Sequence, residues 1–475
     1  MFAIIACLVC AGAAAAQPAV SANGSWVGTM WFRAPAGVEP EPISVELRGR
    51  RAVVSLAQGH AARTVVAAAV RRGRVRISLP GRPGPLVLAG RVRRGQLSGS
   101  VRQGRVRGRF SLARGAPLPE ASLGLYRFAD GRSLGVWSGE GARIATVYDD
   151  DELRGLYRTR GSTYAIGAGL QTRNPTSGTA RFAATYAMWR GARANRVAVR
   201  QQEVWVLSGR AQLGCTLSIP PGSGRRPAIA FAHGAGSAPR AYNSNLATFL
   251  NSIGIVTLSC DKRGIGQSGG AYPGEFPSTR TVDEYARDVQ AQARWLARQP
   301  EVDATKIGVA GPSQAGWIMP LAASREPAIR FMLGLVSPTL TVGETDLWAD
   351  LNGHGRSMPT RSDEDMEAEV RAAGPSGFDP MPAIRAMRVP ALWLYGGKDR
   401  TVPSRLCVAR LDPVTREPGR DFSYLVFPGG THGLVLTENG LIPEQARSSR
   451  FVEGLFREMR DWLAVRSFTA SLPAS

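Results

Sequence analysis

Residues 307–316 read Ile307-Gly308-Val309-Ala310-Gly311-Pro312-Ser313-Gln314-Ala315-Gly316, an apolar run that breaks at Gly311 and gives way to a stretch of helical pattern as far as Arg325. The pattern predicts a strand, a tight turn and a helix, with Ser313 at the tip of the turn. Such a turn needs very small side chains two residues before and two after the serine. Gly311 and Ala315 stand there, and Gly316 follows. Ser313 is therefore a candidate nucleophile, the plainer alternative being a helix cap.

A serine hydroxyl is a poor nucleophile unless a base lies within hydrogen-bond reach. The chain has four histidines, His60, His233, His354 and His432. His432 lies in Phe427-Pro-Gly-Gly-Thr-His-Gly433, just past the last expected strand. The acid that would orient it is Asp399, in Tyr395-Gly-Gly-Lys-Asp-Arg-Thr-Val-Pro403, after the apolar run Ala391–Tyr395. Ser313, Asp399 and His432 follow one another in the chain order that a serine elbow on an α/β sheet requires. Turn chemistry for Asp399 and a structural role for His432 are the competing readings. A glycine-rich loop, His233-Gly-Ala-Gly-Ser237, follows the apolar run Ala228–Ala232 and would let backbone N–H groups approach a developing oxyanion. The amides of Ala235 and Gln314 are the expected pair, and His233 is read as shaping the loop.

Further apolar runs at 255–260, 332–335 and 424–427 alternate with amphipathic stretches at 282–298, 314–325 and 448–465, after a hairpin at 203–207 and 211–219. That alternation predicts a mostly parallel sheet flanked by helices over residues 201–475. His233–Ser237, Asp261-Lys-Arg-Gly-Ile-Gly-Gln-Ser-Gly-Gly270, Gly311–Gly316, Tyr395–Pro403 and Pro428–Gly433 together resemble the α/β-hydrolases. The likeness is closest to bacterial serine-aminopeptidase-like and acyltransferase/thioesterase-like members with an N-terminal β-rich extension. It implies an α/β-hydrolase fold with a lid insertion, and a structural role for Asp261 and Arg263 beside the oxyanion loop.

Residues 338–382 show no strand pattern and are the expected lid. Trp348, Met358, Met366 and Phe378 are its candidates for lining an apolar pocket or for packing the lid onto the core. Nine acidic residues face three arginines there, so an acidic entrance that repels polyanionic substrates is expected.

Before residue 201 the character is β. Arg74-Val-Arg-Ile-Ser-Leu79 and Val106–Leu112 alternate with a period of two, which predicts an antiparallel meander, barrel or sandwich, over residues 21–116. Residues 117–200 read as a second, β-rich linking segment without a chemical motif. Residues 1–16 read as a secretory signal, apolar and ending in Ala14-Ala15-Ala16, although no Lys or Arg precedes the run. It contains Cys7 and Cys10, leaving Cys215, Cys260 and Cys407. These allow at most one disulfide, and buried free thiols are the expectation.

The 59 basic and 37 acidic residues of the 475-residue chain leave a net charge of +22. Up to Glu120 there are 18 arginines against four glutamates, so most of the surplus lies in the first β module. Only three of the basic residues are lysines (Lys262, Lys306 and Lys398), which points to arginine-biased codon usage rather than a nucleic-acid surface. The reading is an exported serine hydrolase of small-molecule carboxylic esters, with no cofactor, no metal, no transmembrane segment and no nucleic-acid partner. Its alternatives are an aminopeptidase-like amide hydrolase, an acyl thioesterase, and attraction of the arginine-rich module to anionic envelope polymers.

Overall fold

The computed structural model describes residues 21–473 except 35–36, 57–63, 81–83, 94–95, 115–121, 140–141, 161–162, 173–174, 237 and 275–277. The signal read over residues 1–16 lies outside them. Strands β1–β8, between Gly24 and Arg114, form a closed antiparallel barrel, because β1 (Gly24–Ala34) pairs with both β2 (Gly37–Arg48) and β8 (Val106–Arg114). Alternation decides which side chains enter it. In β5 (Arg74–Leu79) Val75, Ile77 and Leu79 are buried, while Arg74, Arg76 and Ser78 face water. Trp26, Met30, Ile43, Leu88 and Phe110 are among the side chains that fill the interior, as the bore of an eight-stranded barrel allows.

The segment expected to be a link contains a second closed barrel, β9–β16, between Gly124 and Arg196. It has its own core, including Tyr126, Val136, Ile166 and Trp189, and a second apolar face that joins the next domain. There Leu125, Ile144, Tyr148 and Leu153 pack with Phe249, Phe451 and Phe456. Its strands are four to nine residues long and interrupted by glycines, so no stretch carries enough alternation to announce closure.

Residues 200–427 carry an eight-stranded sheet: β17 (Arg200–Ser208), β18 (Ala211–Ile219), β19 (Arg226–Phe231), β20 (Val256–Cys260), β21 (Val302–Pro312), β22 (Phe331–Leu335), β23 (Ala391–Gly396) and β24 (Phe422–Phe427). Their order is β17-β18-β20-β19-β21-β22-β23-β24. β17, β18 and β20 pair antiparallel and the rest are parallel. β19, β20 and β23 are buried along their whole length, the reason they read as continuous apolar runs. The helices are α1 (Ser244–Ser252), α2 (Thr279–Leu296), α3 (Ala315–Ala323), α4 (Val342–Leu351), α5 (Asp363–Ala373), α6 (Met381–Ala386), α7 (Ser404–Thr415), α8 (Ile442–Gln445) and α9 (Leu455–Val465). Ser278 caps α2 by accepting from the Thr281 amide.

The cysteines depart from expectation. Cys215 on β18 and Cys260 on β20 are directly opposed in register and form a disulfide, while Cys407 is free and buried. A separation of 45 residues hides from the sequence that these two strands are neighbours.

Candidate active site

β21 ends at Pro312 and α3 begins at Ala315, leaving Ser313 to turn the chain with a φ of +54°. That left-handed conformation is costly for a residue with a Cβ. Backbone bonds hold it: the Ser313 amide donates to Leu335 O at 3.0 Å, and the Gly316 amide donates to Ser313 O at 2.8 Å. The small-residue requirement is literal. A Cβ on Gly311 would lie 2.6 Å from the Ala315 Cβ and 2.5 Å from Ala232 O.

Asp399 follows β23 and His432 follows β24, so both stand with Ser313 at the carboxyl ends of parallel strands, where such sheets bind ligands. His432 Nδ1 lies 2.8 Å from Asp399 Oδ2. The other carboxylate oxygen accepts from the amides of Thr401 at 2.8 Å and Val402 at 2.9 Å. The Asp399 side chain is fully buried, whereas the His432 ring is about one quarter exposed (26%). With Nδ1 turned to the carboxylate, Nε2 is the nitrogen left for the serine proton. The two loops are zipped together, the Lys398 amide donating to Gly430 O at 2.8 Å and the Gly397 amide to Phe427 O at 2.7 Å. A Cβ on Gly396 would sit 2.5 Å from both Gly430 O and Thr431 O.

The third side of the site is the loop after β19. A Cβ on Gly234 would lie 3.6 Å from the Ser313 Cβ, so the backbone leading into Ala235 runs against Ser313. Gln314, the other expected donor, is buried at the start of α3. His233 is buried with Nε2 2.7 Å from Cys260 O, and among the described residues its Nδ1 has no hydrogen-bond partner. Burial lowers its pKa to about 4, so at neutral pH it is an uncharged prop of the loop, as its position before the nucleophile suggests. Asp261 accepts from the Arg240 amide, the Arg240 guanidinium and the Gln267 amide. Burial pushes its carboxyl up, and those bonds outweigh burial and hold it below the ordinary range. Arg263 forks onto Asp288 of α2. The residue between them, Lys262, received no role from the sequence. It is 3% exposed, with Nζ beside the oxyanion loop. Its one signal was its type, a lysine in a chain that otherwise uses arginine.

Residues 241–458 match the prolyl oligopeptidase family. That match agrees with the strand–serine–helix elbow on a mostly parallel sheet. Residues 200–465 have the α/β-hydrolase fold. The chain is 29% identical over 210 residues to an uncharacterized protein of Mycobacterium tuberculosis, a match that spans 44% of this chain and 64% of that protein. It is 26% identical over 156 residues to a polyketide transferase of Penicillium crustosum, covering 30% of this chain and 48% of that one. Among solved structures, an esterase of Pyrococcus furiosus is similar with a TM-score of 0.40 and 16% identity, over 56% of this chain and 91% of that one. A dienelactone hydrolase from Anabaena variabilis is similar with a TM-score of 0.35 and 16% identity, over 56% and 98%.

The insertion expected to be a lid is helical, built from α4, α5 and the start of α6. Trp348 and Met366 are core side chains and Phe378 packs against the same core, so three of the four pocket candidates hold the insertion down. Met358 alone is exposed. Trp348 Nε1 also donates to Asp399 O at 3.3 Å, linking lid to acid. Many of the carboxylates expected to make the entrance acidic are paired with arginines that follow Asp399 in the chain. Arg410 pairs with Glu344 at 3.0 Å and Asp379 at 2.9 Å, Arg405 with Glu364 at 3.1 Å and Glu367 at 3.3 Å, and Arg400 with Asp363. Among the described residues no group of three His, Cys, Asp or Glu side chains could hold a metal ion, and no helix is long and apolar enough to cross a membrane.

Proposed function

We propose that this hydrolase is an exported serine enzyme that cleaves carboxylic esters of uncharged, moderately small substrates through an acyl-enzyme. The observation that carries the reading is the 2.8 Å contact of His432 Nδ1 with a buried, doubly amide-bonded Asp399, at the same sheet edge as a left-handed Ser313. Ser313 Oγ attacks the ester carbonyl as His432 Nε2 takes its proton. Asp399 holds the ring and stabilises the imidazolium, and the Ala235 and Gln314 amides receive the oxyanion. His432 then protonates the leaving alcohol, and water, activated by the same base, releases the acid. The Cys215–Cys260 disulfide favours an oxidising compartment and so supports export.

Amide cleavage is the second reading, favoured by the prolyl oligopeptidase match. A free α-amine needs a carboxylate anchor, and the lid acids considered for this are engaged. Glu344 closes a capping box with Thr341 and binds Arg410, and Asp350 pairs with His354 at 2.9 Å. An acyl thioesterase would use the same triad.

Turnover of p-nitrophenyl esters from acetate to palmitate, beside aminoacyl p-nitroanilides and an acyl thioester, tests the reading. Short-chain esters should be preferred, and Ser313→Ala should lower kcat at least about 10³-fold with an unchanged melting temperature. Substantial turnover by Ser313→Ala would remove the triad, and a large preference for anilides would replace the ester reading by the peptidase one.

A further inference from the structure

The strand end after Cys260 brings a buried cation to the back of the oxyanion loop. Lys262 Nζ lies 2.9 Å from Gly234 O, 3.1 Å from Gly236 O and 2.8 Å from Gln314 Oε1. It also stands 4.6 Å from the ring centre of Tyr285 and 5.9 Å from that of Tyr272. We propose that Lys262 is a positioning residue for the oxyanion hole, its ammonium gripping both halves of that hole at once.

The geometry of the peptide unit gives the reason. Gly234 C=O and Ala235 N–H belong to one planar trans peptide, so they point in opposite directions. An ammonium on Gly234 O therefore fixes where the Ala235 N–H is aimed, and by polarising the amide makes it a stronger donor. The bond to Gly236 O holds the next peptide but one, so Ala235 is braced from both sides. The bond to Gln314 Oε1 ties this loop to the residue whose own amide is the second donor.

The adjacent Asp261 carboxylate is turned to Arg240 and the Gln267 amide. The Lys262 charge is felt at the start of the loop, where it adds to the lowering of the His233 pKa that burial causes. Burying an ammonium is costly unless it is bonded, which makes its presence here more than packing. Three converging carbonyl oxygens suit a compact ammonium better than a planar guanidinium. That fits a lysine kept here while 56 of the 59 basic residues are arginine.

The inference rests on the serine-hydrolase reading, and its test separates the two. Lys262→Met, Gln314→Leu, the double variant and Ser313→Ala are compared with the parent on p-nitrophenyl acetate. Inhibition by butylboronic acid, which mimics the tetrahedral adduct, is measured alongside. Lys262→Met should lower kcat at least about tenfold with KM within about threefold, and weaken the boronate by the same factor as kcat. Gln314→Leu removes one acceptor but keeps the backbone amide, and should lose less. The double variant should be no worse than Lys262→Met. A folded Lys262→Met with kcat within threefold of the parent, or with full boronate affinity, overturns the inference. If Lys262→Met does not fold, Gln314→Leu decides: a boronate at least about threefold weaker supports the role, and an unchanged one overturns it. Turnover surviving in Ser313→Ala would instead sink the serine reading itself.

Discussion

His233 is neutral where it stands, since burial leaves its ring only the Cys260 carbonyl to bond. In the unfolded chain the same ring protonates near its ordinary pKa of 6.5, against about 4 in the fold. As pH falls from 6.5 toward 4 the unfolded state binds the proton first, so stability is lost across that window and unaffected above it. The loss approaches about 3 kcal/mol. His233→Gln keeps a donor toward Cys260 O but does not titrate. Melting temperatures at pH 7.5 and 4.5 should therefore fall less for the variant than for the parent, and equal losses would refute the assignment. Chain order and the scarcity of histidine picked out Ser313, Asp399 and His432, which the fold brings to one sheet edge. The role proposed for Lys262 was not legible, because it depends on three carbonyl oxygens from segments 26 to 52 residues away in the chain.

At the scale of elements, the loops after β23 and β24 hold Asp399 and His432 together only because Gly396 and Gly397 admit the backbone of Pro428–Thr431. Gly396→Ala must push these loops apart by more than side-chain rotation can absorb. We expect kcat to fall at least about tenfold, with KM little changed and a lower melting temperature. Turnover within twofold of the parent would mean that the loops yield without separating His432 from Asp399. The apolar runs of β19–β23 were readable because strands buried on both faces leave no other composition. The lid was readable as an insertion but not in its packing. Trp348 and Met366 look the same in sequence whether they line a pocket or anchor a helix. The pairing of the lid charges was not legible because their partners Arg400, Arg405 and Arg410 lie outside the insertion.

For the whole molecule, the two barrels stand in different relations to the site. The first has a core of its own. The second is bonded to the chain that follows His432. Leu153 N donates to Ser449 O, Phe451 N to Asp151 O, and Gly454 N to the Asp151 carboxylate. That chain in turn holds the histidine loop, through Val452 N to Leu434 O and Leu436 N to Arg450 O. Deleting residues 21–116 should leave the melting temperature within a few degrees and kcat/KM within about twofold. Deleting 21–196 also uncovers Phe249, Phe451 and Phe456 and should give insoluble or inactive protein. Calorimetry and ester turnover on both truncations check this, and an active, stable 197–475 fragment would contradict it. The first truncation also tests the arginine-rich module, whose loss should weaken salt-sensitive retention on an anionic matrix.

Local periodicity and turn chemistry by themselves determined the parallel sheet, the serine elbow, the order of the triad candidates and the β character of residues 21–200. Each is imposed by nearest neighbours in the chain and so is written along it. Tertiary structure alone decided that 124–196 closes into a barrel, that Cys215 and Cys260 join, that the lid acids are paired and that Lys262 stands behind the oxyanion loop. Closure, disulfides, ion pairs and buried charges depend on which distant segments become neighbours, and that is set by the packing of the whole chain.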